Sequence, residues 1–312
     1  MFIRPICEEE LKVFAAFSDN SQTNERFLAY LTQMWNEGYI TPELCFVAEE
    51  AGEFVGRTAY WKLPSLNNFL EIDFLEVSLS VDYLKVGAEL LARSLDMLNL
   101  PVNTVIQHTL DIPYPIFTLE PSNSVARIEL LEQFGFWLIR ETCRFELQAI
   151  AAEVKPSRQL LYRTLDDVGE DTFIDAIERV SSNSLDQIIK QEIEELGAKE
   201  YAHGYFQRMK ALKYKSTCWQ LAYTSEMALV GLVMPAENDG GAIIGYLGVA
   251  PEQRGHGYST ELLTQGTQTL LSDGATRIRS DADVNNIPMV SAFGRVGYNQ
   301  FAFRKEYRWR QT

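Results

Sequence analysis

The chain sets out one order of elements and then sets it out again. From residue 1 to about 147 the apolar spacing gives strand, helices, hairpin, strand, helix, strand, helix and strand, and from about 160 onward the same order returns. A plan recurring at a period of roughly 160 residues is the mark of internal duplication. Strands and helices in this order make an α/β (α+β) sandwich in each half, a sheet with helices on its faces. At 312 residues the chain has room for two such domains. The stretch 149–163, with small residues, Pro156 and little periodicity, reads as the linker, giving domains over 1–150 and 158–312.

In the first half, residues 1–6 read as a strand and 7–19 as a helix. A second helix follows, with Asn24 as its start signal and Gly38 as its stop. Ala51-Gly52 lies between two strand-like runs and predicts a hairpin. "FLEVSLSV" reads as a strand and "GAELLARSLDMLN" as the helix after it; a last helix ends at Gly135, and "WLIRETCRFEL" returns as a strand. The second half matches: "LLYRTL", helical material over 166–214, a hairpin, "AIIGYLGV", a helix over 259–274, "TRIRSDA", a helix ending at Gly297, and "FAFRKEYRW" to close the sheet.

Composition narrows the function. Asp and Glu outnumber Lys and Arg by 43 to 28, a net charge of −15, so nucleic-acid phosphates would be repelled. Most of that charge lies in the first half, where it can attract a cationic substrate or simply keep the surface solvated. No apolar run is long enough to span a membrane, and the acidic cluster Glu8–Glu10 stands where a signal peptide needs an apolar segment; a cytoplasmic protein is expected. Four scattered cysteines and three isolated histidines make neither a disulfide framework nor a metal site, so reduced thiols and no metal are expected.

The stretch "YLGVAPEQRGHGYSTELL" (246–263) carries the strongest chemical signal. A strand, then closely spaced glycines, then a helix makes an anion site. Glycines let backbone N–H groups turn inward, and the helix N-terminus adds partial positive charge. Arg254 adds a formal charge able to fork onto a phosphate. A P-loop would need a Lys that is absent, and a dinucleotide fingerprint would need glycine at Thr260. By itself the pattern also serves as a tight strand-to-helix turn.

At set spacings, Val249, Pro251, Arg254, Gly255, Gly257, Ser259, Leu262 and Leu263 fill a longer pattern, and Asn286, Met289, Gly297 and Tyr298 fill a second one downstream. Together they make most of 160–312 resemble the GNAT N-acetyltransferases. The resemblance implies two tandem GNAT-like domains, each a mixed, mostly antiparallel sheet flanked by helices. It implies acetyl-CoA as donor, held between a splayed pair of strands. The backbone of Leu247, Gly248 and Val249 would meet the pantetheine arm and acetyl group. The amides from Arg254 through Gly255, His256, Gly257 and Tyr258 to Ser259 would wrap the pyrophosphate, and Asn286, Met289 and Phe293 would line the arm. The acceptor would be the amine of a small molecule or peptide, with no nucleic acid or membrane partner.

Acetyl transfer to an amine needs a neutral nucleophile, a stabilised oxyanion and a leaving thiolate. Members of the family often carry a Tyr where this chain has Phe293, which puts a dedicated general acid in doubt. Asp281 and Asp283, on one face if the strand continues that far, are candidates to hold the amine or relay its proton, or else to cap the next helix. Tyr246 is a candidate acid or relay, or else a core tyrosine. The helical stretch 166–214 would cover the acceptor site, with Glu192, Glu194 and Glu195 on a solvated face. In the first half, matching Val81 to Val249 leaves a turn four residues short with no partner for Arg254. The first domain therefore reads as a degenerate copy without the pyrophosphate loop. A non-catalytic CoA sensor or scaffold is the alternative, favoured by Phe293 and the lost first site.

Overall fold

The computed structural model describes residues 1–17, 20–62, 68–114, 123–149 and 160–311. Most of the expected linker, 150–159, lies outside the described residues. By contacts the chain forms two compact units. One takes the chain to Asp111, the stretch ending at Ile139, and the segment from Lys305; the other takes Arg140–Arg304.

The first unit contains β1 (Phe2–Pro5), β2 (Cys45–Glu50), β3 (Glu53–Trp61), β4 (Phe69–Val77) and β5 (Val105–Pro113), paired in that order. Helices α1 (Leu11–Ala15), α2 (Ser21–Asn36), α3 (Tyr83–Leu98) and α4 (Ser124–Phe134) accompany them. Of the helix expected over 7–19, the described residues form a short 3-10 turn and α1, and residues 18 and 19 lie outside the described residues. The start of α2 is capped by Asn20, whose side chain accepts from the Thr23 N–H at 3.1 Å, not by Asn24. An N-cap needs an extended residue three before a free N–H, and Asn20 meets that condition. Ala51 and Gly52 both take positive φ, as a two-residue hairpin demands. The pairs are antiparallel except β4–β5, which is parallel from Phe69↔Val105 to Ile72↔His108.

The second unit orders its strands β6 (Trp137–Gln148), β11 (Arg277–Asp283), β10 (Gly241–Val249), β9 (Leu229–Asn238), β8 (Gln220–Tyr223) and β7 (Leu161–Thr164). Its helices are α5 (Leu165–Val168), α6 (Glu170–Ser181), α7 (Gln187–Leu196), α8 (Ala198–Lys210), α9 (Tyr258–Ser272) and α10 (Ile287–Val296). Again one pair, β10–β11, is parallel. The fold class is thus mixed α/β with a mostly antiparallel sheet in each unit.

The closing strands are exchanged. β6, written at the end of the first half, pairs antiparallel with β11 from Thr142↔Asp283 to Gln148↔Arg277. It buries Cys143, Phe145 and Leu147 in the core shared with α9 and α10. The last strand, β12 (Asn299–Arg310), sends Tyr307 and Trp309 into the core under α3 and α4, where the Tyr307 hydroxyl donates to Glu132 at 3.1 Å.

The expected four-residue deletion does not exist. β4 ends at Val77 and β10 at Val249, and Val77 is as far from Leu90 as Val249 is from Leu262. The ladders agree: Gly56 faces Val77 as Gly231 faces Val249. The two turns are equal in length and differ in conformation. In the first unit α3 begins at Tyr83 behind an Asp82 N-cap, and the residues that would form the loop are wound into an extra helical turn.

Candidate functional site

The parallel pair β10–β11 holds together only at Ala242↔Ile278 and Ile243↔Arg279, and the strands then part. At the point of divergence the Ser280 hydroxyl donates to the Ile244 carbonyl at 3.0 Å. Just beyond it Gly245 forms a bulge against β9, and the Tyr205 hydroxyl from α8 donates to its carbonyl at 3.1 Å. Beyond the bulge Gly248 pairs with Leu232, and Ala250 N–H donates to the Val230 carbonyl at 2.9 Å. Antiparallel alternation then turns the N–H and C=O of Leu247 and Val249 to the opposite edge, which β11 has left. A cleft of about 760 Å³ opens there, all of it within the second unit.

The loop after β10 closes one end of the cleft. Gly255 and Gly257 take φ of 84° and 82°, where an L side chain is strained. Gly257 stands as the N-cap of α9 with no side-chain cap. Among the described residues, no acceptor takes the backbone N–H of Gly255, His256, Gly257, Tyr258 or Ser259. Unpaired N–H groups at a helix start can accept an anion.

Every sequence-predicted site residue except His256 lines the cleft. The His256 ring stays outside it, with Nδ1 at 3.2 Å from the Gln253 carbonyl. Asn286 caps α10 through its side-chain oxygen, which accepts from the Met289 N–H at 3.3 Å. Phe293 is buried, stacked on Phe145 at 4.5 Å and edge-on to Tyr298 at 5.1 Å. Tyr246 is 8% exposed and packs against Tyr205 at 4.5 Å, and burial pushes its hydroxyl far above the usual tyrosine range. Tyr205 is likewise pushed up, to about 12, by burial.

The two aspartates separate. β11 does run as far as Asp283, so both lie on one strand at alternate positions. Asp281 accepts from Arg144 on β6 at 3.3 Å. Asp283 is 1% exposed and its carboxylate takes three donors: Gln187 N–H at 3.0 Å, Asn285 N–H at 2.8 Å and the Asn285 side-chain amide at 3.0 Å. It anchors the start of α7 and the turn into α10. Arg254 likewise serves protein acceptors: its guanidinium donates to the carbonyls of Val180, Ser182, Asn183 and Val249 at 2.8–3.2 Å.

The helical stretch 166–214 was expected to cover the acceptor site, but the residues of the wall facing the loop were not named as such from the sequence. The connection from Asn183 to Asp186 borders the cleft, as do Ile188, Ile189 and Glu192 of α7, Tyr205 and Arg208 of α8, and Arg140 of β6. Arg140 pairs with Asp186, whose other oxygen caps α7 by accepting from Ile188 N–H at 3.0 Å. Arg208 pairs with Glu192 at 2.6 Å, so that glutamate borders the cleft and is not a purely solvated residue. Spacing along one helix cannot show which residues of α7, α8 and β6 converge. Among the described residues no group of three His, Cys, Asp or Glu side chains is placed to hold a metal ion, and no helix is long and apolar enough to cross a membrane.

Residues 184–298 match the model of the acetyltransferase (GNAT) family. A GCN5-related N-acetyltransferase from Sphaerobacter thermophilus is 14% identical, aligns over 99% of this chain and 95% of its own, and superposes with a TM-score of 0.62. A tandem GNAT protein from the clavulanic acid biosynthesis pathway is 15% identical over 99% of this chain and 98% of its own, with a TM-score of 0.51. These likenesses show the fold over the full chain. No curated protein matches the sequence.

Proposed function

We propose, because residues 184–298 match the acetyltransferase (GNAT) family model, that this protein is an acetyl-CoA-dependent N-acetyltransferase that moves the acetyl group to an amine by direct attack on the thioester. The observation that carries this reading is the pairing of two donor sets along one cleft. The turned-out backbone of Leu247 and Val249 lies along its wall, and the free amides of residues 255–259 close its end. The amides suit a pyrophosphate, and the strand edge suits the amides of a pantetheine arm. Asn286, Met289 and Phe293 supply the facing wall.

The chemistry follows from those groups. An N–H of Leu247 or Val249 stabilises the oxyanion formed as the amine attacks. Tyr246, kept protonated by burial, donates to the developing charge at the sulfur or oxyanion. Asp281, although paired with Arg144, is one of the carboxylates on the cleft wall that can attract a cationic amine, whereas Asp283, held by N–H donors, positions α7. An alkyl thiol with a pKa of about 8.5, by analogy with Cys, leaves tolerably as thiolate without a strong acid. In this reading residues 158–312 perform the transfer, and 1–150 form a degenerate domain whose loop position is helical.

Calorimetric titration of the full chain with acetyl-CoA and CoA tests the donor, and release of free thiol across a panel of polyamines, amino acids, aminoglycosides and peptides tests the transfer. Binding of both, with thiol release for at least one amine class, is the expected result. Failure to bind either nucleotide overturns the reading. Tight binding with no turnover across the panel would leave a CoA-binding protein instead.

A further inference from the structure

The structure assigns one joint role to Arg254 and Asp283, which reach from the proposed donor site to hold the connection between α6 and α7 that walls the cleft. α6 ends at Ser181, and the last carbonyls of a helix have no partner inside it. Arg254, in the glycine loop, donates to three carbonyls there: Val180 at 3.0 Å, Ser182 at 2.8 Å and Asn183 at 3.0 Å. Its Nε bonds back to Val249 at 3.2 Å, tying the end of β10 to the same point. A cation at a helix C-terminus is favoured electrostatically as well as by hydrogen bonding. From the other side, buried Asp283 accepts from the first N–H of α7, at Gln187.

The intervening turn is held besides by the Ser184 N–H on the Ser181 carbonyl and the Asp186 N–H on the Ser184 hydroxyl, both at 3.1 Å, and by the Arg140–Asp186 pair. Asn183 sits at φ 51°, a left-handed conformation that costs free energy and persists only when its surroundings impose it. Through this turn α7 is placed, and with it Ile188, Ile189 and Glu192, which face the cleft. Arg254 and Asp283 are therefore positioning residues. Their side chains shape the wall opposite the donor, and a ligand that orders the glycine loop also orders that wall. The apo arm of the test below depends on geometry alone, while the ligand arm rests on the donor reading proposed above.

Hydrogen exchange of the full chain, with and without CoA, tests the assignment. In the apo protein, Arg254→Ala and Asp283→Ala should each speed exchange over residues 183–192 by about tenfold or more through local opening. Arg254→Lys, which keeps the charge but not the fork, should fall between. In the wild type, CoA should slow exchange over the same residues, and in Arg254→Ala that slowing should be lost even at saturating CoA. Unchanged apo exchange at 183–192 in both alanine variants overturns the assignment, whatever happens to CoA affinity. Should wild-type protein bind no CoA, the donor reading fails while the apo comparison still decides whether the two side chains hold the wall. Gly257→Ala, which strains the loop without touching α6, should leave apo exchange at 183–192 as in wild type. A melting curve for each variant separates local opening from global unfolding.

Discussion

A β-carbon on Gly231 would lie 2.1 Å from the carbonyl oxygen of Gly248. The two strands that form the back of the cleft approach as closely as backbone allows, and Leu262 of α9 seals the same point from above. Gly231→Ala must therefore push β9 from β10, at a cost of about 3 kcal/mol, the upper end of ordinary overpacking. In the first unit Gly56 holds the matching place, but its nearest neighbours would be 3.4 and 3.5 Å away. We expect Gly231→Ala to lower Tm by several degrees and weaken CoA binding, and Gly56→Ala to do neither. Thermal melts with and without CoA check this, and equal effects would contradict it.

Gly257→Ala isolates the loop. Its β-carbon would meet nothing within 4 Å, so the penalty is conformational, roughly 1–2 kcal/mol for a left-handed residue. Gly274 also has positive φ and open space around it, but it lies away from the cleft. Both alanine variants should lose similar stability. Only Gly257→Ala should weaken acetyl-CoA binding, by about tenfold if that strain is relieved by distorting the amide ring. A Gly274→Ala protein with equally weakened binding would rule the loop out as the source of the effect.

Tyr246→Phe tests proton donation. Burial keeps the Tyr246 hydroxyl protonated through the alkaline range. It should therefore contribute no alkaline limb to the pH dependence of kcat. Replacing it should lower kcat by about 100-fold, the lower end of a general acid's usual effect, without moving either limb of the profile. An unchanged kcat would make Tyr246 a wall residue only.

His108 should govern acid stability in the first unit. It is 1% exposed, with Nδ1 at 2.7 Å from the Ile72 carbonyl, and burial pulls its pKa from 6.5 down to about 4. Below pH 6.5 the unfolded chain takes up a proton that the folded chain refuses. Stability present above pH 6.5 is thus lost as pH falls toward 4, by up to about 3 kcal/mol. Chemical denaturation at pH 7.5, 6, 5 and 4.5 should show this slope, and His108→Gln should flatten it. Equal slopes in the two proteins would rule His108 out as its source.

Much of this was legible from local patterns. The hairpin at Ala51-Gly52, the stops at Gly38, Gly135 and Gly297, and the glycine loop all depend on what a few adjacent residues can adopt. The misjudged deletion shows the limit of that approach. "FLEV" at 74–77 is the counterpart of "YLGV" at 246–249, yet the later Val81 looked equally suitable, because sequence does not show where a strand stops pairing. The same holds for Arg254. Its spacing suggested a phosphate, but whether a guanidinium meets a ligand or a helix end depends on where α6 terminates, more than seventy positions earlier.

The sequence by itself determined that the plan is duplicated, that the second copy has a glycine turn able to expose N–H groups, and that the first does not repeat it. Those properties follow from backbone freedom and apolar periodicity, which are local. Only the tertiary structure decided which core each closing strand packs into. β6 packs Phe145 on Phe293 beside the cleft, and β12 packs Tyr307 and Trp309 beneath α3 and α4. A strand's alternation specifies which face it buries and never against which neighbour. That choice rests on the fit of large side chains into one core or the other.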